Sequence, residues 1–346
     1  MLNIFQMKKA SRYVQLFTFI LLITSCTRER KNEADVSAIN IQQSFLRFDK
    51  DLFSFGDSIT SDNVNKLRKK YNSFFDLYCG RIIRIHSDDD ALTAQDLSHF
   101  IADSDIKEIH HKTDSLYSNT NDIQEKLLNA FKHYAYYFPG KPIPEIVTYI
   151  SAFNYQVITA DSILGIGLDM YLGENNADIY ASINIPKYMS RRFAKAYIVN
   201  DCIKGWFQSE YDPDSVKSEL LSQMIYYGKL LYYTDMLAPE MPDTIKTGYT
   251  KEQLDWCNKN ESNVWAFFIE QKLLYSTVIQ EYIKYINDGP TTNGLPKESP
   301  AKLGAWIGWQ IVKAFMKNNS GITLKQLLKE KDAQKILNES NYKPKK

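Results

Sequence analysis

Cysteine and histidine are both scarce in this chain. The four cysteines, Cys26, Cys79, Cys202 and Cys257, include no C-x-x-C or metal-knuckle spacing, so no disulfide framework is predicted. The five histidines, His86, His99, His110, His111 and His133, contain no pair four residues apart, and H-E-x-x-H is absent. His110 and Asp114 share a helix face and read as an exposed polar pair. A phosphate loop G-x-x-x-x-G-K-[ST] and a nucleophile elbow G-x-S-x-G are missing too. Gly165-Ile166-Gly167 lacks the third glycine of a dinucleotide site and reads as strand or hairpin glycine. Ser87-Asp88-Asp89-Asp90 lacks the alternating ligands of a calcium loop and reads as a solvated turn. No cofactor is therefore expected. Charge of one sign is not in excess, with 42 Lys and Arg against 41 Asp and Glu, which argues against a nucleic-acid partner.

What is present begins near the start. Lys8, Lys9 and Arg12 precede an apolar run from Val14 to Ile23, broken by Gln15 and Thr18. That run is too short to span a bilayer and matches a secretory h-region. Ile23-Thr24-Ser25-Cys26 then closes it in the manner of a bacterial lipoprotein signal. An ordinary signal peptide is the alternative, disfavoured because the A-x-A cleavage pattern is absent. The expectation is a signal peptide over residues 1–25, acylation of Cys26, and a flexible tether through residue 42. Thr27 to Asp35 carries mixed charge and almost no apolar content, so it cannot bury enough surface to order itself. Several acyl chains anchor firmly where one does not. The implied location is the cell envelope, lipid-anchored to a membrane and facing the periplasm.

Residues 43–342 read as a single globular domain and residues 343–346 as a basic tail. The 23 Tyr and 18 Phe show no repeated spacing, which favours an aromatic core over a glycan platform. Val64, Leu67, Tyr71, Phe74, Phe75 and Tyr78 predict one helix ending at Gly80. Ile106 to Tyr117 and Ile123 to Phe138 predict two more. The texture changes at Ile146-Val147-Thr148-Tyr149-Ile150, Gln156-Val157-Ile158-Thr159 and Ile163 to Leu168, which predict strands with a turn near Asp161-Ser162. Tyr180 to Ile185 is read as a further short strand. Helix follows almost to the end, with starts at Pro186, Asp212-Pro213, Thr250, Ser299-Pro300 and Thr323. The fold class is thus α+β and mainly α-helical, with a small β-sheet.

One predicted helix, Lys187 to Phe207, carries an interrupted stripe. Met189, Phe193, Ala196, Ile203 and Phe207 keep the spacing, and Asn200 stands where an apolar residue is expected. Lys204 lies one turn beyond Asn200, and Asp201 is placed to pair with it at i+3. From spacing alone, a satisfied asparagine beside a local ion pair is the simpler reading.

Several blocks carry a family resemblance. They are Phe45-Leu46-Arg47-Phe48-Asp49-Lys50-Asp51-Leu52-Phe53, the run from Leu164 to Gly173, the run from Met224 to Tyr232, Gly248-Tyr249-Thr250 with Trp256-Cys257 and Asn260-Glu261, and Gly304 with Trp306 to Val312. In this order they resemble the gliding motility lipoprotein GldB family of Bacteroidota. The resemblance implies an envelope lipoprotein needed for gliding, in a pathway linked to type IX secretion, with protein partners in that machinery. It also implies a fold similar to a degenerate zincin-like metallopeptidase. In that pattern two histidines one turn apart bind zinc and a glutamate serves as general base. Here Asn200-Asp201-Cys202-Ile203-Lys204 takes the place of the motif, and Tyr227-Gly228 the place of the third ligand. A non-enzymatic scaffold or assembly factor is expected. The alternatives are a peptide-binding or hydrolytic protein with a divergent site, and a scaffold that binds through other surfaces.

Overall fold

The computed structural model describes residues 34–86 and 88–345. The unit from Val36 onward carries the fold described below. In chain order its elements are β1 (Phe45–Arg47), α1 (Phe48–Phe53), α2 (Ser61–Tyr71), α3 (Ser73–Leu77), α4 (Asp90–Ala102), α5 (Ser104–Leu116) and α6 (Asn121–Tyr137). Then come β2 (Glu145–Tyr149), β3 (Val157–Ala160), β4 (Ile163–Gly167), α7 (Ala177–Ser182), α8 (Lys187–Ser190), α9 (Ile198–Glu210) and α10 (Leu220–Leu237). The remainder is α11 (Asp243–Thr247), α12 (Lys251–Lys259), α13 (Glu261–Glu270), α14 (Ile279–Tyr282), α15 (Leu303–Asn318), α16 (Leu324–Lys329) and α17 (Ala333–Ser340). The class is α+β and mainly helical, as the sequence predicts.

The sheet separates two cores. Its order is β1-β2-β4-β3, with β1, β2 and β4 parallel and β3 antiparallel at the edge. Side chains alternate across a strand. Val147, Tyr149 and Ile163 therefore face an aromatic core with Phe48, Tyr71, Phe74 and Tyr78, while Ile146, Leu164 and Ile166 face the larger helical core. Burial on both faces explains why β2 and β4 read as continuous apolar runs. Gly167 is dictated by proximity, because a Cβ there would lie 2.1 Å from the Tyr155 carbonyl oxygen. Asp161 takes a left-handed conformation (φ 49°) at the predicted β3–β4 turn.

Asp169, just beyond β4, is fully buried and organises the next segment. Its carboxylate accepts from the Ser151 backbone N–H at 3.0 Å and the Phe153 N–H at 2.7 Å. Ala152, between those donors, and Phe153, the second of them, both have positive φ. Burial pushes the carboxyl up to about 6 against these hydrogen bonds.

Several local expectations give way to tertiary contacts. The predicted helix to Gly80 breaks at Asn72 (φ 45°) and continues through a π-turn, Tyr78–Ile82, that includes Gly80. Asp89 is a helix cap as well as part of a turn, accepting from Ala91 and Leu92 N–H. Tyr180 to Ile185 is not a strand: α7 ends there, and the Tyr180 hydroxyl accepts from Leu172 N–H and donates to the Asp169 carbonyl. The helix expected from Lys187 to Phe207 is interrupted. Ala194 is extended and bridges Leu172, and Gly173 N–H donates to the Phe193 carbonyl, so this backbone pairs outside any helix. Asp212 caps a single turn, Pro213–Ser215, and the long helix starts only at Leu220. Ser299-Pro300 does not begin α15, because the Ala301 carbonyl is taken by the Tyr249 hydroxyl at 2.7 Å and Lys302 has φ 60°. Thr250 and Thr323 do form capping boxes, with Gln253 and Gln326. His110 stacks on Phe53 at 3.9 Å, and Asp114 pairs with Lys50 while its charge also favours the His110 cation.

Candidate functional site

Helix α9 packs beside edge strand β3 and presents two faces. Ile198, Cys202 and Ile203 enter the core. Asp201 and Lys204 face a partly enclosed cavity of about 230 Å³. Tyr227 of α10 lines the same cavity, so three of the four positions singled out around the degenerate motif converge. Asn200 does not line it. It is 2% exposed, donates from Nδ2 to Asp201 Oδ1 at 3.0 Å, and leaves its Oδ1 without a protein partner.

The expected Asp201–Lys204 ion pair is replaced by other bonds. Lys204 Nζ donates to the Lys246 carbonyl oxygen at 2.7 Å, tying α9 to α11. Asp201 Oδ2 accepts from the Tyr171 hydroxyl at 3.0 Å. Desolvation dominates both groups. It holds the Lys204 ammonium down to about 8, opposed by Asp201 and reinforced by Lys302 and Arg192. It pushes the Asp201 carboxyl above the usual range, opposed by Lys204 and the Tyr171 hydrogen bond.

Charges that sequence spacing did not indicate complete the wall. Arg192 follows α8, Lys246 lies on α11, and Lys302 precedes α15. Arg192 Nη2 and Lys302 Nζ share Asp288, at 3.0 and 2.8 Å. Burial alone would raise the Asp288 carboxyl, but the two cations hold it below its ordinary value. Lys246 has its own counterion in Asp235 at 2.7 Å, whose other oxygen accepts from Trp309 Nε1 at 2.8 Å. Arg192 fits because Gly248 (φ 74°) has no side chain: a Cβ there would lie 2.8 Å from Arg192 Cδ.

Tyr227 is followed by Gly228, whose role is packing. A Cβ on Gly228 would lie 2.3 Å from the Gly308 backbone, and one on Gly308 would lie 1.8 Å from the Met224 carbonyl oxygen. Helices α10 and α15 thus meet backbone to backbone, which aims Tyr227 and Trp306 at the cavity.

The donor set does not fit zinc. A catalytic zinc takes neutral imidazole, thiolate or carboxylate donors. Asn200 and Lys204 offer an amide and an ammonium, and burial raises the Tyr227 phenol. Among the described residues no three His, Cys, Asp or Glu side chains converge to hold a metal. Cys79, Cys202 and Cys257 are buried free thiols, and burial raises each above the ordinary thiol range.

With this geometry in view, comparison with known proteins is decisive in one respect. Residues 29–344, nearly the whole chain, match the family of the gliding motility protein GldB. The chain belongs to the GldB family. That family is designated as lipoproteins, and among the described residues no helix is long and apolar enough to cross a membrane. Cys26 lies outside both the matched span and the described residues. No curated protein and no solved structure matches, so the metallopeptidase-like part of the fold expectation has no support from the comparisons.

Proposed function

We propose that this GldB family member is a lipid-anchored, non-enzymatic scaffold of the cell envelope. It serves gliding motility, faces the periplasm from its Cys26 anchor, and joins partners in the type IX secretion and gliding machinery. Its helical cavity recognises a partner and does no hydrolysis. The observation that supports this reading is the fate of the motif helix: Lys204, where a zinc ligand would stand, is a cation already bonded to the Lys246 carbonyl. A divalent ion beside an ammonium is electrostatically opposed.

The cavity also bounds what it takes. At about 230 Å³ it exceeds the roughly 150 Å³ that accommodates benzene and falls below the 300–1,000 Å³ of drug-sized pockets. A terminal group or single side chain suits it better than an extended peptide. The test is affinity recovery of the intact lipoprotein from envelope membranes, beside a variant with Asn200→Ala and Lys204→Gln together. Loss of a recovered partner is expected. Unchanged recovery, or stoichiometric zinc in the purified protein, would overturn the reading. Separately, Cys26→Ala is expected to release a folded protein from the membrane fraction and abolish gliding.

A further inference from the structure

Four cations, Arg192, Lys204, Lys246 and Lys302, line the cavity beside a single lining carboxylate, Asp201. Lys246 pairs with Asp235 and with Asp243 one helical turn away. Arg192 and Lys302 share Asp288, and Lys204 makes its hydrogen bond to a backbone carbonyl. Asp288 serves two cations at once, and Asp201 is occupied by Tyr171 and Asn200. Arg192 Nε is buried and has no acceptor among the protein's atoms. Leaving such a donor unpaired is unfavourable, and a ligand oxygen would remove that cost. Leu230, Leu231, Ala305 and Trp306 supply the apolar part of the lining.

From this arrangement we infer that the cavity binds a single carboxylate attached to a small apolar group. The carboxylate accepts from Arg192 Nε and sits between the Lys204 and Lys302 ammonium groups, and the apolar group lies against Leu230 and Trp306. One unpartnered guanidinium donor and a partly apolar lining suit a monoanion on an apolar stem. Two sources carry this chemistry, a free small carboxylic acid and the C-terminus of a polypeptide. The inference rests on reading the cavity as a recognition site, and its test is independent of partner recovery.

The experiment is calorimetric titration of the full-length protein in detergent with N-acetyl-leucine and with N-acetyl-leucinamide at neutral pH. The acid is expected to bind at one site and the amide about tenfold or more weaker, the loss of one charge-assisted contact. In Lys204→Gln that preference should largely vanish. Equal affinities, or no binding of the acid to the unaltered protein, would overturn the inference without needing any variant to fold. An acetylated tripeptide ending in leucine separates the sources. Binding as tight as the acid identifies a polypeptide terminus, and exclusion of the tripeptide identifies a free acid; either result upholds the carboxylate site. If the acid binds while partner recovery ignores Lys204, the scaffold reading fails and this one stands.

Discussion

Two charge clusters, one around Asp49 and one beside the cavity, are built on opposite principles. In the N-terminal layer, Asp49 is 3% exposed and closed off completely: Arg47 pairs with it, Thr148 donates to it, and Arg47 also reaches the Tyr117 carbonyl at 2.8 Å. In the helical half, Arg192, Lys204 and Lys302 line a cavity with one lining carboxylate, Asp201, and an unpartnered donor. A buried pair with all its bonds made inside the protein is a structural device. A cluster with a buried donor left unpartnered is open to a ligand.

Breaking the closed cluster should have the largest effect. Arg47→Met strands Asp49 and is expected to cost about 3–5 kcal/mol of stability, measured by denaturant unfolding, with no change in the acid-over-amide preference. A loss well under that range would mean Asp49 is less isolated than its surroundings indicate. A cap remote from both clusters calibrates the scale. Thr250→Ala removes the acceptor for Gln253 N–H and should cost about 1 kcal/mol, leaving ligand binding untouched. Arg192→Met should cost less, under about 1 kcal/mol, since Asp288 keeps Lys302 and the pair is partly exposed. Its signature is a weakened preference for the acid.

The smallest effect sharpens the comparison through pH. The Lys204 ammonium faces Asp201 from its own helix, and Arg192, Lys302 and Asp288 from neighbouring segments, and titrates near 8 instead of 10.5. Between those values the unfolded chain binds more protons, so stability rises with pH there and the burial cost is fully present below about 8. The stability difference between the unaltered protein and Lys204→Met should therefore shift in favour of the unaltered protein as pH climbs through that window. A difference flat with pH would show that Lys204 is not the group held down.

Much of the local structure was legible in the residues. Strands over Glu145–Tyr149 and Ile163–Gly167 follow from their apolar, β-branched runs, and the Thr250 and Thr323 boxes from i,i+3 spacing. What was misread lies where a distant backbone competes. The Ala194 bridge to Leu172 breaks a helix that its own period favoured, and Tyr180 points into hydrogen bonds that spacing cannot show. The candidate site was half legible. Asp201 and Lys204 stand out at the interrupted helical stripe and Tyr227 in the family pattern, whereas Arg192 and Lys302 give no signal, since one follows a short helix and the other occupies a left-handed N-cap.

By itself the sequence determined the family, the mainly helical class and the Thr250 and Thr323 caps, and it raised the expectation of a lipid-anchored Cys26, because these depend on neighbours within a turn or two or on linear motifs. Tertiary structure alone decided that Arg192, Lys204, Asp288 and Lys302 meet around one cavity, and that Gly228 and Gly308 let α10 and α15 close it. Charge balance is set by distances of a few ångströms through space, and those distances exist only once the chain has folded.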